Sequence, residues 1–231
     1  METTSVPAEL RDSRKRRKSN GAPSRAASGR MRAQGLHTRN MILRVARSML
    51  LESGPVNFSQ RAVALRAGIS VSNLQYYFPT KLAILRAVAE PEVDSYLRAL
   101  KRMLDSSIRP REIRDAIVKR SLHDAKNAEY AALLRHFFSF ASTDPECAKL
   151  LSDWYNTLTL EFAKLIHAVN PEFGTADSVH VATLLIALAD GLTLQLVEGR
   201  HRQVDLPGLE ARYIATVNCI LLGSNPGVAD D

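Results

Sequence analysis

The chain has 231 residues, 45% hydrophobic and 24% charged, a composition that supports a folded body with a real core and argues against a disordered or collagen-like chain. Two cysteines, Cys147 and Cys219, lie far apart without CxxC or Cys/His ligand spacing, so neither a disulfide framework nor a metal site is expected, and a reducing cytoplasm fits. The longest strongly apolar stretch, Val181 to Ala189, ends at Asp190, short of the ~20 residues of a membrane helix; the polar first 38 residues hold no signal-peptide core.

The net charge of +7 is unevenly placed. Residues 1–39 carry 10 Lys and Arg against 3 Asp and Glu, residues 40–90 carry 6 against 2, and residues 91–231 carry 15 against 19. A polyanion would therefore be attracted to one end of the molecule.

In chain order, residues 1–37 read as a disordered basic arm, poor in aliphatic and aromatic side chains. Within it Arg14 to Lys18 are five successive cations, either a strand-hugging arm for DNA or a solvated tail; both readings stay open. From Thr38, a candidate N-cap, Ile42, Val45, Ala46, Met49 and Leu50 form one helical stripe that Gly54-Pro55 stops. A short helix over 59–67 buries Val63, Ala64 and Ala67, and Gly68 follows as its C′ glycine. Ser70 caps a third helix through Phe78, and Thr80 caps a fourth beginning at Lys81. Further helices are predicted over 111–126, 129–142, 144–169, 176–199 and 207–222, with Thr143 or Asp144 as a cap. Period-2 runs and hairpin signals are lacking, so the fold class is all-α: a three-helix N-terminal domain at 38–85 and a helical domain at 86–231.

Two short helices joined by Ala67-Gly68-Ile69-Ser70 have the form of a helix-turn-helix, whose tight turn requires the left-handed backbone that Gly68 permits. Its second helix exposes Val71, Ser72, Asn73, Gln75, Tyr76 and Tyr77. Asn and Gln can donate and accept together at an adenine edge, Val can touch a thymine methyl, and tyrosine hydroxyls reach phosphates. Lys81, beside the free amides of the fourth helix, is a candidate phosphate clamp.

The string from Ala67 to Lys81, AGISVSNLQYYFPTK, resembles the DNA-binding domain of the TetR family of bacterial regulators, whose pattern runs approximately A-G-V-S-x-G-x-L-Y-x-H/Y-F-x-x-K. The likeness extends from Ile42 to Leu85, with a weaker echo at Ala187 to Leu192. It implies that Ser59 contacts a phosphate, that Val71, Ser72 and Asn73 read bases, that Tyr77 and Lys81 grip the backbone, and that Leu74 and Phe78 are core. Gln75, Ser72 and Gln60 depart from the pattern, so the target sequence is not transferable and the second helix is expected to pack differently.

One recognition helix contacts few bases, so a homodimer is expected, built on the helices at 176–199 and 207–222 through Val181, Leu184, Leu185, Leu188, Leu192 and Leu196. The resemblance implies the same interface. For a small-molecule effector the candidates are Phe137, Phe138, Phe140, Trp154, Tyr155 and Asp190, although aromatics at helical spacing are ordinarily core. The six histidines form no HExxH or i, i+4 pair, and phosphate loop and GxSxG are absent, so no enzyme, no cofactor and no catalytic residue is expected. The expected function is a cytoplasmic, ligand-responsive, sequence-specific DNA-binding regulator. Most simply it is a repressor released from a palindromic operator; a nucleoid-type DNA protein, an activator of the same fold, or an enzyme or adaptor that kept the motif are the alternatives.

Overall fold

A computed structural model describes residues 25–105, 109–196 and 206–222, and every regular element among them is an α-helix. Two compact units are distinguished, residues 1–38 and Arg39 to the end. The helix α1 (Arg25–Ser53) begins thirteen residues before its expected start at Thr38 and takes in residues 25–37 of the stretch read as a disordered arm. Thr38 is no N-cap: inside the helix, its hydroxyl donates to the Gln34 carbonyl at 3.0 Å. The reason is local. Ala, Arg, Met and Gln have high helix propensity, and adding turns to an existing helix avoids the nucleation penalty, so no apolar face is needed. The Arg14 to Lys18 run lies outside the described residues.

In the second unit the remainder of α1 is followed by α2 (Gln60–Arg66), α3 (Val71–Tyr77) and α4 (Lys81–Asp105). The expected stripe supplies their core: Ile42, Ala46, Met49 and Leu50 pack with Val63, Ala64, Leu74 and Phe78. That core does not close on itself. Ala87, Val88 and Ala89 from α4 join it, as do Leu133, Phe137, Phe140 and Cys147 from later helices. Accordingly α4 runs unbroken through the expected boundary at residues 85 and 86, and Pro91 sits within it.

The remaining helices are α5 (Pro110–Ala125), α6 (Ala128–Ala141), α7 (Pro145–Val169), α8 (Thr175–Gln195) and α9 (Leu206–Leu222). Asp144, not Thr143, is the α7 N-cap, accepting from the amides of Glu146 and Cys147, with Pro145 in the first turn. Packing centres on α7, which lies against α4, α5, α6 and α8, while α9 packs on α5 and α8. A second core joins Leu100, Ile113, Ile117, Phe162, Leu165, Ile166, Leu185, Tyr213, Val217 and Leu221. At 21 residues α8 is the described helix long and apolar enough to cross a membrane, yet it packs against α5, α7 and α9 and carries Asp190.

Candidate nucleic-acid interface and effector cavity

The helix-turn-helix geometry follows from three small residues. Ser59 caps α2 by accepting from the Ala62 amide at 3.1 Å, and Ser70 caps α3 by accepting from the Asn73 amide at the same distance. Between them Gly68 has φ +66°, the left-handed region that L side chains avoid. Leu74 and Phe78 are buried beneath α3. Opposite them Val71, Ser72, Asn73, Gln75 and Tyr76 are exposed, Tyr76 by 81%. Tyr77 is half-buried and packs on the core, edge-to-face with Tyr76.

Gln60, the departure on α2, ties two helices together. Its side-chain amide donates to the Phe78 carbonyl at 2.8 Å and so holds the C-terminal end of α3. Arg39, which the motif does not mark, places its guanidinium 5.3 Å from the Phe78 ring centroid and brings a cation to the same end. Ser59 stands exposed at the opening of α2.

Lys81 differs from the expected free clamp. Its ammonium lies 3.3 Å from the Asp144 carboxylate and 5.4 Å from the Phe140 ring centroid. Asp144 is held below the usual carboxylate range by donation from the Cys147 amide first and by Lys81 second. A phosphate at Lys81 would thus compete with the α7 N-cap. Nearby, the turn after α1 is closely fitted: a Cβ on Gly54, φ +65°, would come 3.2 Å from the His136 ring.

Deeper in the body lie two neighbouring cavities, here called lobes, that share part of their lining. The smaller, about 110 Å³, is walled by Tyr96, Tyr130, Phe137, Trp154 and Tyr155, with Glu92 and Asp190 as its carboxylates. The larger, about 400 Å³, is lined mainly by aliphatic side chains of α4, α5, α7, α8 and α9, together with Arg102 and Arg120. Tyr96, Tyr130, Leu158 and Asp190 border both. Of the candidates from sequence, Phe137, Trp154, Tyr155 and Asp190 come together here. Phe138 is 40% exposed and stacks outside on Tyr155, and Phe140 is core against Phe58 and Lys81; neither lines a lobe. Both point away because a helix face spans only part of each turn, and the cavity takes the face that Phe137 occupies.

Tyr96 and Tyr130 were not marked by the sequence pattern. The available signal was their polar tip on otherwise apolar helix faces, since a buried tyrosine hydroxyl needs a partner. Tyr155 donates to Asp190 at 2.5 Å, and Tyr96 donates to Asp124, which also receives Arg120 at 2.6 Å. Arg120 stacks over the Tyr96 ring at 4.2 Å. Burial pushes Asp190 up to about 6, against which the Tyr155 hydroxyl works, and pushes Tyr130 up to about 12. Tyr96 and Tyr155 are raised as well, by burial first and then by neighbouring charge. Among the described residues no group of three His, Cys, Asp or Glu side chains could hold a metal ion.

An exposed second helix in a capped helix-turn-helix, followed by an all-helical body with cavities between its helices, is the architecture of a DNA-binding transcriptional regulator. The profile of the bacterial regulatory proteins of the TetR family matches residues 42–88, and that of the C-terminal domain of BetI-type transcriptional repressors matches residues 110–216. The chain belongs to the TetR family. Among solved structures it is similar to Salmonella enterica GusR, with 20% identity, TM-score 0.65, and coverage of 81% of this chain and 96% of that one. It is also similar to a TetR-family regulator from Mesorhizobium loti, with 15% identity, TM-score 0.64, and coverage of 82% and 98%. A third similar structure is a transcriptional regulator from Saccharomonospora viridis in complex with choline, with 21% identity, TM-score 0.62, and coverage of 79% and 96%. At these identities the structural likeness speaks for the fold. No curated protein matches the sequence.

Proposed function

We propose that this regulator is a homodimeric repressor released from a palindromic operator by a small molecule bound in the two-lobed cavity. The observation that carries the reading is α4. It starts at Lys81, directly after the reading helix, and continues into the cavity wall through Ala89, Glu92, Val93 and Tyr96. A ligand that favours one tilt of this helix alters the position of α3, and an effector bound more tightly by the DNA-incompetent state empties the operator by population shift. Residues 38–85 then read DNA through Val71, Ser72, Asn73, Gln75 and Tyr76, with phosphate contacts at Ser59, Tyr77 and Lys81, while residues 86–231 bind effector and dimerise.

The dimer rests on exposed apolar faces of α8 and α9. Leu184, Ala187 and Gly191 share the open side of α8, Leu184 being 58% exposed. Ala211, Ile214, Ala215 and Leu222 share that of α9. Of the side chains expected at the interface, Leu185 is core, and Val181, Leu188 and Leu192 are half-buried against it. Two copies of this helix pair form a four-helix interface without exposing new core. A neighbouring fold carries the small ligand choline, which accords with a small-molecule effector here.

Selection of bound duplexes from a random pool, with the full chain, tests the proposal. The expected product is a palindrome whose half-sites are about one duplex turn, ~34–36 Å, apart. Equal affinity for selected and random duplex at fixed salt would instead establish a nucleoid-type binder.

A further inference from the structure

We propose that the effector is an organic cation carrying an apolar chain, its charged head against Asp190 among the tyrosines of the smaller lobe and its chain in the larger. This rests on the ligand-responsive reading above and adds the chemistry of the ligand.

Charge is unbalanced at the junction of the lobes. Asp190 is largely withdrawn from water and receives one hydroxyl, from Tyr155. No Lys or Arg pairs with it among the described residues: Arg120 is engaged by Asp124, Arg47 by Glu92 and Glu129, and Arg102, which lines the larger lobe, makes no ion pair with it. A carboxylate buried without a counter-charge is unfavourable, and a bound cation removes that penalty.

The walls point the same way. The smaller lobe has no Lys, Arg or His lining, while Tyr96, Tyr130, Phe137, Trp154 and Tyr155 border it. Aromatic faces carry partial negative charge and attract a cation, most strongly once water is excluded. An anionic ligand there would meet Asp190 and Glu92, and a neutral one would leave Asp190 unpaired.

Size then separates a compact cation from an extended one. A compact cation fills only the smaller lobe, whereas Asp190 also borders the neighbouring space of about 400 Å³, which a chain on the same ligand would occupy. Leu100, Met103, Ile117 and Phe162 make the larger lobe a receptor for hydrocarbon. Each methylene buried there should tighten binding about fourfold, up to the length the lobe accepts.

Trp154 is the single tryptophan of the chain and borders the smaller lobe, so its fluorescence reports occupancy without DNA. The full-length protein is titrated with octyltrimethylammonium, tetramethylammonium, octanol and octanoate. Octyltrimethylammonium should bind saturably, at least about tenfold tighter than tetramethylammonium. It should exceed octanol and octanoate by at least about tenfold as well. Asp190→Asn should remove most of the preference for the cation over octanol. Ala116→Leu, which fills part of the larger lobe, should weaken the octyl cation and spare tetramethylammonium.

Octanol or octanoate binding as tightly as the octyl cation overturns the proposal. So does an Asp190→Asn chain, folded by circular dichroism, whose affinity for the cation is unchanged. The ligand series and Ala116→Leu decide the matter even if Asp190→Asn does not fold. Binding of the cation without operator release supports this site and refutes the repressor reading. Operator release by octanol or octanoate but not by the cation does the reverse.

Discussion

Asp190→Asn should make the empty protein more stable, and by an amount that depends on pH. Burial raises Asp190 from 3.8 to about 6. A gap of about two pH units corresponds to ~3 kcal/mol of differential interaction between charged and neutral forms. The direction follows from proton uptake. Between the two values the folded chain holds a proton that the unfolded chain has released, so stability falls as pH rises from about 4 to about 6. Above that the full penalty is present; below about 4 both states are protonated and it disappears. Asparagine has the same shape, still accepts the Tyr155 hydroxyl, and carries no charge in either state. Urea unfolding at one fixed protein concentration, at several pH values from 4 to 8, reads the effect. The Asn variant should gain up to ~3 kcal/mol at pH 8, and the two curves should merge near pH 4. The charged and titratable side chains that border the same cavities, Glu92, Tyr96, Arg102, Arg120, Tyr130, Tyr155 and Tyr213, are present in both chains. A stability difference that is flat with pH, or an Asn variant less stable at pH 8, would refute an uncompensated charge at this position.

Other substitutions test the DNA end. Gly68→Ala forces an L side chain to φ +66° but meets no atom within 4 Å, so it should cost ~1–2 kcal/mol of unfolding free energy. Gly54→Ala bears the same backbone strain plus a 3.2 Å approach to His136, and should cost more in the same denaturant assay. Lys81→Ala should weaken operator binding across sequences and flatten its salt dependence by about one phosphate contact, measured by fluorescence anisotropy against salt. Asn73→Ala should change which duplexes are recovered from a random pool, with a discrimination loss of ~1–3 kcal/mol at the base it reads; an unchanged selected sequence would remove Asn73 from the reading face.

The helix-turn-helix was legible because its determinants are local. Ser59, Gly68 and Ser70 act on atoms within a few residues of themselves, and Leu74 and Phe78 repeat at one helical period. The cavity was legible only in part, since it is assembled from helices distant in sequence. Trp154 and Asp190 could be singled out by type, whereas the polar tips of Tyr96 and Tyr130 signal only that each needs a partner, not that they turn toward Trp154 and Asp190. Partner choice was equally hidden: no short-range pattern states that Lys81 meets Asp144, 63 positions later in the sequence numbering. The start of α1 was misplaced for a different reason. Apolar periodicity marks where a helix is packed, and residues 25–37 continue the helix by propensity.

The unbroken passage of α4 from the helix-turn-helix to the cavity wall offers a route for coupling between operator and the proposed effector, and any such coupling is reciprocal. An effector that loosens the operator by some factor must itself be held more loosely, by the same factor, on the operator-bound protein. The effector concentration that clears a promoter would then be higher than the one that saturates free protein. Under the proposed function, molecules not on DNA would fill first and buffer the signal, and the abundance of the regulator relative to its sites would set the threshold of the response.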